Sequence, residues 1–67
     1  MIVRLHIMTI KKLMGEKRMT ATALSKLCGV SRQNISTILN RGTCSVTNAY
    51  LLADALGVEF EDIVKEE

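Results

Sequence analysis

Two helix-length segments with matching start and stop signals follow each other between Thr20 and Gly42. Each begins at a hydroxyl residue, Thr20 or Ser31, whose oxygen can accept a hydrogen bond from an unpaired N–H of the first turn. Each ends at a glycine, Gly29 or Gly42, the residue that adopts a left-handed backbone at least cost. These signals predict two short helices joined by a tight turn, and they constrain the fold more than any other feature of the sequence.

Apolar residues lie on one side of both predicted helices. Leu24 and Cys28 have helical spacing in the first, and Ile35 and Ile38 have it in the second, with Val30 at the corner between them. Two helices that meet at a steep angle through a glycine-containing turn bury such a set. We therefore interpret residues 21–40 as a helix-turn-helix motif.

Further helices are predicted on both sides of the motif. The first has its strongest pattern over residues 9–17, and another runs over residues 46–56 behind a capping Ser45. A last helix follows Glu59, which is a poor cap, although Glu61 and Asp62 suit a helix N-terminus. Residues 1–8 fit two structures, because their apolar residues have both helical and alternating spacing. We favour an extension of the first helix over a strand available to pair with another chain.

The charge is divided unequally along the chain. Residues 1–42 contain eight Lys or Arg and a single Glu, whereas residues 43–67 contain one Lys and six Asp or Glu. A half with an excess of seven positive charges has a field suited to a polyanion, although solvated helix faces would give the same composition. If the partner is nucleic acid, the acidic half must face away from its phosphates.

Composition excludes several other classes of function. With aromatic residues at 3%, the chain lacks the platforms that stack single-stranded bases. Cys28 and Cys44 are expected to be free core residues, and with His6 as the only histidine we expect no metal, cofactor or catalytic centre. We find no signal peptide and no apolar run of membrane-spanning length, so we expect a cytoplasmic protein. Because no catalytic set of residues is recognisable, we expect that it is not an enzyme.

The second motif helix has a polar face of unusual composition. Gln33, Ser36, Thr37 and Asn40 follow helical spacing, Arg32 lies beside them, and this face contains no acid. Arg can bind guanine, Gln and Asn can bind adenine, and a Thr methyl can contact thymine in the major groove. An ordinary solvent face usually contains Glu or Lys. We therefore favour the hypothesis that this face reads double-stranded DNA.

Residues 10–64 resemble the Cro/repressor-type helix-turn-helix family, the lambda-repressor-like or XRE group. The resemblance rests on IKKLMGEKRMT, LSKLCGVSRQNISTILNRG and LLADALGVEFEDIV. It implies an all-α fold of about five short helices and a recognition helix at 32–41, and the chain length of 67 residues predicts a single domain over residues 1–67. The implied base readout is by Arg32, Gln33 and Thr37, with further recognition-helix contacts from Asn34 and Ser36. The expected phosphate contacts are Thr20, Thr22, Asn40, Arg41, Thr43, Ser45 and Thr47.

The sequence departs from the family pattern in three ways. Ala21 stands where relatives often have a phosphate-binding Gln, which is why Thr20 and Thr22 are considered in its place. Ser25 replaces a usual Ala. Met14 and Leu39 occupy the places of a buried Arg–Glu pair, an apolar exchange that is often neutral or stabilising.

These features predict a sequence-specific transcription regulator that binds a double-stranded DNA operator. We expect a homodimer on a palindrome, formed through the last helix or the N-terminal segment, with half-sites about 34 Å apart. No small-molecule ligand or membrane partner is indicated. The alternative is a protein-interaction or antitoxin-like module that keeps the fold but binds DNA weakly or not at all, with the acidic half as its contact surface.

Overall fold

The computed structural model describes residues 1–65, and helices dominate this part of the chain. In chain order the elements are strand β1 (Ile2–Arg4), helices α1 (Ile7–Glu16), α2 (Ala21–Cys28) and α3 (Arg32–Arg41), strand β2 (Thr43–Ser45), and helices α4 (Val46–Leu56) and α5 (Phe60–Ile63). The predicted all-α fold with five helices is confirmed, with a two-stranded sheet added to it. Within residues 1–65, no helix is long and apolar enough to cross a lipid bilayer.

Helices α2, α3 and α4 begin where the hydroxyl residues predicted them to begin. The side-chain oxygens of Thr20, Ser31 and Ser45 accept hydrogen bonds of 3.1, 3.2 and 3.1 Å from the backbone N–H three residues later. Helices α2 and α3 end at Gly29 and Gly42, whose φ angles are +75° and +76°. An L-residue rarely adopts this conformation, so these two glycines fix the ends of both motif helices.

A single aliphatic core holds the helices together. Helix α2 packs against both α3 and α4, and α4 also packs against α5. Both cysteines are free and buried in this core, as predicted, and burial raises the pKa of the Cys44 thiol. The largest side chains with almost no exposure come from six different parts of the chain: Leu5, Ile10, Leu24, Ile35, Leu52, Leu56 and Ile63.

The N-terminal segment corrects one prediction. Residues 2–4 form β1 rather than an extension of the first helix, and α1 begins only at Ile7. The strand pairs antiparallel with β2 of the same chain, in the register Val3 opposite Cys44. The alternating side chains fit this strand, since Leu5 is buried and Val3 partly buried while Arg4 faces solvent.

Residues 63–65 lie along the other edge of this segment. Leu5 donates its N–H to the carbonyl of Gly42, whereas His6 donates to Ile63, both at 2.8 Å. Lys65 in turn donates to the carbonyl of Arg4 at 2.9 Å. Residues 1–6, 43–45 and 63–65 together form a unit that we call the terminal clasp.

Two turns close differently from the expected pattern. After α1 the left-handed residue is Arg18, with φ +54°, and not a glycine. The N–H of Met19 reaches back to the carbonyl of Met14 at 2.8 Å, which closes the helix end. Helix α5 follows Glu59 as predicted, but here the cap comes from the Asp62 carboxylate, which accepts the Glu59 N–H at 3.0 Å.

Candidate nucleic-acid interface

Helix α3 has one side fixed in the core and the other side in solvent. Ile35 and Ile38 are 1% and 7% exposed, so they set the rotation of the helix about its axis. Every polar residue of α3 that the sequence singled out lies on the exposed surface. These residues are Arg32, Gln33, Asn34, Ser36, Thr37, Asn40 and Arg41.

The beginning of α2 and the first half of α3 line one open cleft of about 580 Å³. Thr20 and Thr22 come from the α2 side, and Arg32, Gln33 and Ser36 come from the α3 side. The fold thus places two expected phosphate ligands beside two expected base-reading residues. The N-terminus of α2, where backbone N–H groups point out of the helix, borders the same cleft and favours negative charge there.

The hydroxyl groups near α3 differ in what they can still donate. Thr20 and Ser45 use an oxygen lone pair to cap a helix, which leaves the hydroxyl proton available for a phosphate oxygen. The Thr37 hydroxyl instead donates to the carbonyl of Gln33 at 3.0 Å. In this state Thr37 can offer a base edge its methyl group or an acceptor oxygen, but not its proton.

The other expected phosphate ligands lie near the far end of α3, away from this cleft. Asn40, Arg41 and Thr47 are exposed, whereas Thr43 and Ser45 are partly buried in β2. Sequence reasoning did not connect this region with the chain termini. Within residues 1–65, Arg4, His6 and Lys65 line a second cleft together with Arg41 and Thr43. No local sequence pattern predicts that cleft, because its lining comes from three distant segments of the chain.

Acidic residues are absent from the helix-turn-helix motif and from the residues that flank it. Residues 17–53 contain no Asp or Glu, and this stretch includes all of α2, α3 and β2. Within residues 1–65, the acids of the second half of the chain are exposed at the end of α4 and around α5: Asp54, Glu59, Glu61 and Asp62. The exposed face of α3 therefore has no carboxylate of its own to repel a polyanion.

A capped helix, a glycine turn and a second helix with a polar outer face define the class of helix-turn-helix DNA-binding domains. The sequence matches the Cro/C1-type HTH DNA-binding domain over residues 9–66, and the chain belongs to that family. No curated protein and no solved structure gives a significant match to the chain. The match confirms the family resemblance and a role in DNA-binding regulation in general, and it begins after β1.

Proposed function

We propose that this protein is a sequence-specific transcription regulator that inserts α3 into the major groove of double-stranded DNA. The observation that carries the proposal is the fixed orientation of α3. Ile35 and Ile38 anchor one side, so the acid-free polar side projects outward along the whole helix. A rigid helix that presents amide, hydroxyl and guanidinium groups fits the width of the major groove.

Base readout is assigned to the exposed residues of the first two turns of α3. The Arg32 guanidinium can bind the O6 and N7 atoms of guanine, and the Gln33 amide can bind N6 and N7 of adenine. The Thr37 methyl group can contact thymine, since its proton already serves the helix. Asn34 and Ser36 supply further contacts from the same exposed surface.

Phosphate contacts are assigned to two groups of residues near opposite ends of α3. Thr20 and Thr22 share the cleft with the start of α3. Asn40, Arg41, Thr43, Ser45 and Thr47 lie at the end of α3 or in the segment that follows it. Contacts on both sides of the inserted helix would set its depth and register in the groove.

We further propose that the protein acts as a cytoplasmic homodimer on a palindromic operator. One copy contacts only a few base pairs with α3, so two copies related by a twofold axis would supply the needed specificity. The half-sites would lie about 34 Å apart along the duplex.

Selection of bound duplexes from a random DNA pool tests this proposal directly. We expect an enriched site with twofold symmetry. With that site as the cognate duplex, Arg32→Ala should weaken binding by about 1–3 kcal/mol and relax the preference at one base pair. Lys12→Ala, which removes a charge from an exposed position on α1, is the control and should keep the same preferred sequence. Unchanged cognate and scrambled affinities in the Arg32 variant would refute the assignment.

A protein-interaction or antitoxin-like module is the second candidate. The observation that favours it is the exposure of Tyr50 and Leu51 on α4, next to α5, where the Tyr50 ring stacks on Phe60. A salt titration separates the two functions, because DNA binding through basic residues must strengthen steeply as salt falls. The absence of measurable duplex binding at low salt would favour the interaction module.

A further inference from the structure

The second cleft lies between the start of α1, the connection from α3 to β2, and the C-terminal side of the terminal clasp. Its volume is about 470 Å³, and the basic residues among its lining are Arg4, His6, Arg41 and Lys65. We propose that this cleft is a phosphate-binding site, held by the side chains of His6, Arg41 and Lys65 together with the first backbone N–H groups of α1. This site does not depend on base readout by α3.

The cationic lining of the cleft comes from distant parts of the chain. His6 precedes α1, Arg41 ends α3, and Lys65 follows the last buried residues, so only the folded protein brings these side chains to one cavity. No carboxylate lines the cleft within residues 1–65, and in that part of the chain the Arg41 and Lys65 side chains have no ion-pair partner. Among the residues that the structure describes, the cleft gathers the positive charges of Arg41 and Lys65, and concentrated positive charge attracts an anion.

The backbone adds donors to the same cavity. Ile7, Met8 and Thr9 line the cleft, and they are the first three residues of the ten-residue helix α1. The His6 side chain does not cap this helix, and the N–H groups of these three residues have no hydrogen-bond acceptor within the described chain. Unpaired N–H groups at a helix start point toward a bound anion and carry part of the helix dipole.

The set of donors fits phosphate better than other anions. It combines a forked guanidinium, a compact ammonium, an imidazole and several backbone N–H groups, and the several oxygens of a phosphate can accept hydrogen bonds from all of these donor types. Thr9 and Thr43 place hydroxyl groups along the same cavity. No aromatic ring other than His6 lines it, so the cavity has no platform to stack a base. The phosphate can therefore come from a DNA backbone or from a free phosphate anion.

Titration of the full chain with inorganic phosphate, followed by ¹⁵N–¹H NMR at constant ionic strength, tests the site without DNA. We expect saturable shifts of the Ile7, Met8 and Thr9 amide signals. Lys65→Gln should weaken this binding about threefold to tenfold, because it removes one charged donor. Lys12→Gln removes the same charge from an exposed position of α1 outside the cleft, and it should leave the binding nearly unchanged.

Two outcomes would overturn the proposal. The α1 amide signals could fail to respond in a saturable manner, or the two variants could weaken phosphate binding equally, which would indicate general charge screening. Circular dichroism of Lys65→Gln shows whether the fold is intact. If it is not, His6→Gln replaces it as the test variant and must show the same threefold to tenfold loss.

A second arm with a duplex oligonucleotide identifies the source of the phosphate. If DNA occupies the cleft, Lys65→Gln should reduce the slope of log K against log salt by about 0.9, the value for one phosphate contact. If inorganic phosphate binds but this slope does not change, the ligand is a free anion. A failure of all duplex binding would refute the proposed regulator while leaving the phosphate result in place.

Discussion

The helix-turn-helix unit, residues 20–42, and the terminal clasp are stabilised in different ways. In the helix-turn-helix unit, caps at Thr20 and Ser31 and buried residues such as Ile35 all lie within one short stretch of chain. In the terminal clasp, backbone hydrogen bonds join segments far apart in sequence, such as His6 to Ile63. The first unit is local and held mainly by side chains, whereas the second is non-local and held largely by backbone pairing.

This difference separates the surface proposed to read DNA bases from the part that completes the core. The helix-turn-helix unit carries the residues proposed to read bases, and its geometry depends on its own caps and apolar face. The terminal clasp buries Leu5 and Ile63 and sets where α1 begins. A change in the clasp should therefore lower stability without redirecting α3, whereas a change in the core face of α3 should affect both.

The largest expected effect comes from the core face of α3. Ile35→Ala should lower the free energy of unfolding by about 2–5 kcal/mol, because it leaves a cavity where a fully buried side chain packed. Urea denaturation measures the change. Asn34→Ala, at the exposed neighbouring position, is the control and should alter stability by no more than about 0.5 kcal/mol. Equal effects of the two substitutions would contradict the orientation of α3.

The next largest effect tests the backbone pairing of the clasp. His6→Pro removes the N–H that bonds to Ile63 while its ring is compatible with the φ of −79° at this position. We expect a loss of about 1–3 kcal/mol in unfolding free energy, partly offset by the stiffer unfolded chain. His6→Ala keeps the N–H and should cost much less. If both variants were equally stable in thermal denaturation, the hydrogen bond would not contribute to stability.

A smaller loss is expected at the cap of the recognition helix. Ser31→Ala removes the oxygen that accepts the Asn34 N–H, and it should cost about 1 kcal/mol of stability. Ser36→Ala removes a hydroxyl from an exposed position within the same helix and provides the comparison. Denaturant titrations of both variants should differ by most of that amount. Matching curves would show that the cap contributes nothing in this context.

The smallest effect is a gain in stability at the turn after α1. Arg18 has φ +54°, a conformation that is unfavourable for a residue with a Cβ atom. Arg18→Gly should raise the free energy of unfolding by about 0.5–1 kcal/mol after the entropy of the unfolded glycine is counted. Arg18→Ala removes the same charge but keeps the strain, so its melting temperature should not rise. A larger gain from alanine than from glycine would contradict the strain argument.

The sequence by itself determined the elements whose signals are local. The starts of α2, α3 and α4 at Thr20, Ser31 and Ser45 follow from a single side chain that satisfies a nearby N–H. The same spacing rules assigned Ile35 and Ile38 to the core and the polar residues between them to the surface. The proposed DNA-binding face could be predicted for this reason, because one helix carries most of it.

Only the tertiary structure decided the rest. Residues 2–4 become a strand because β2 and the segment near Val64 offer backbone partners. A strand of three residues has no sequence pattern that predicts a partner forty residues away. The cleft between His6, Arg41 and Lys65 likewise forms only when folding brings these three distant residues together. A cap or an apolar stripe is decided within a few residues, whereas strand pairing and the meeting of distant charges depend on how the whole chain closes.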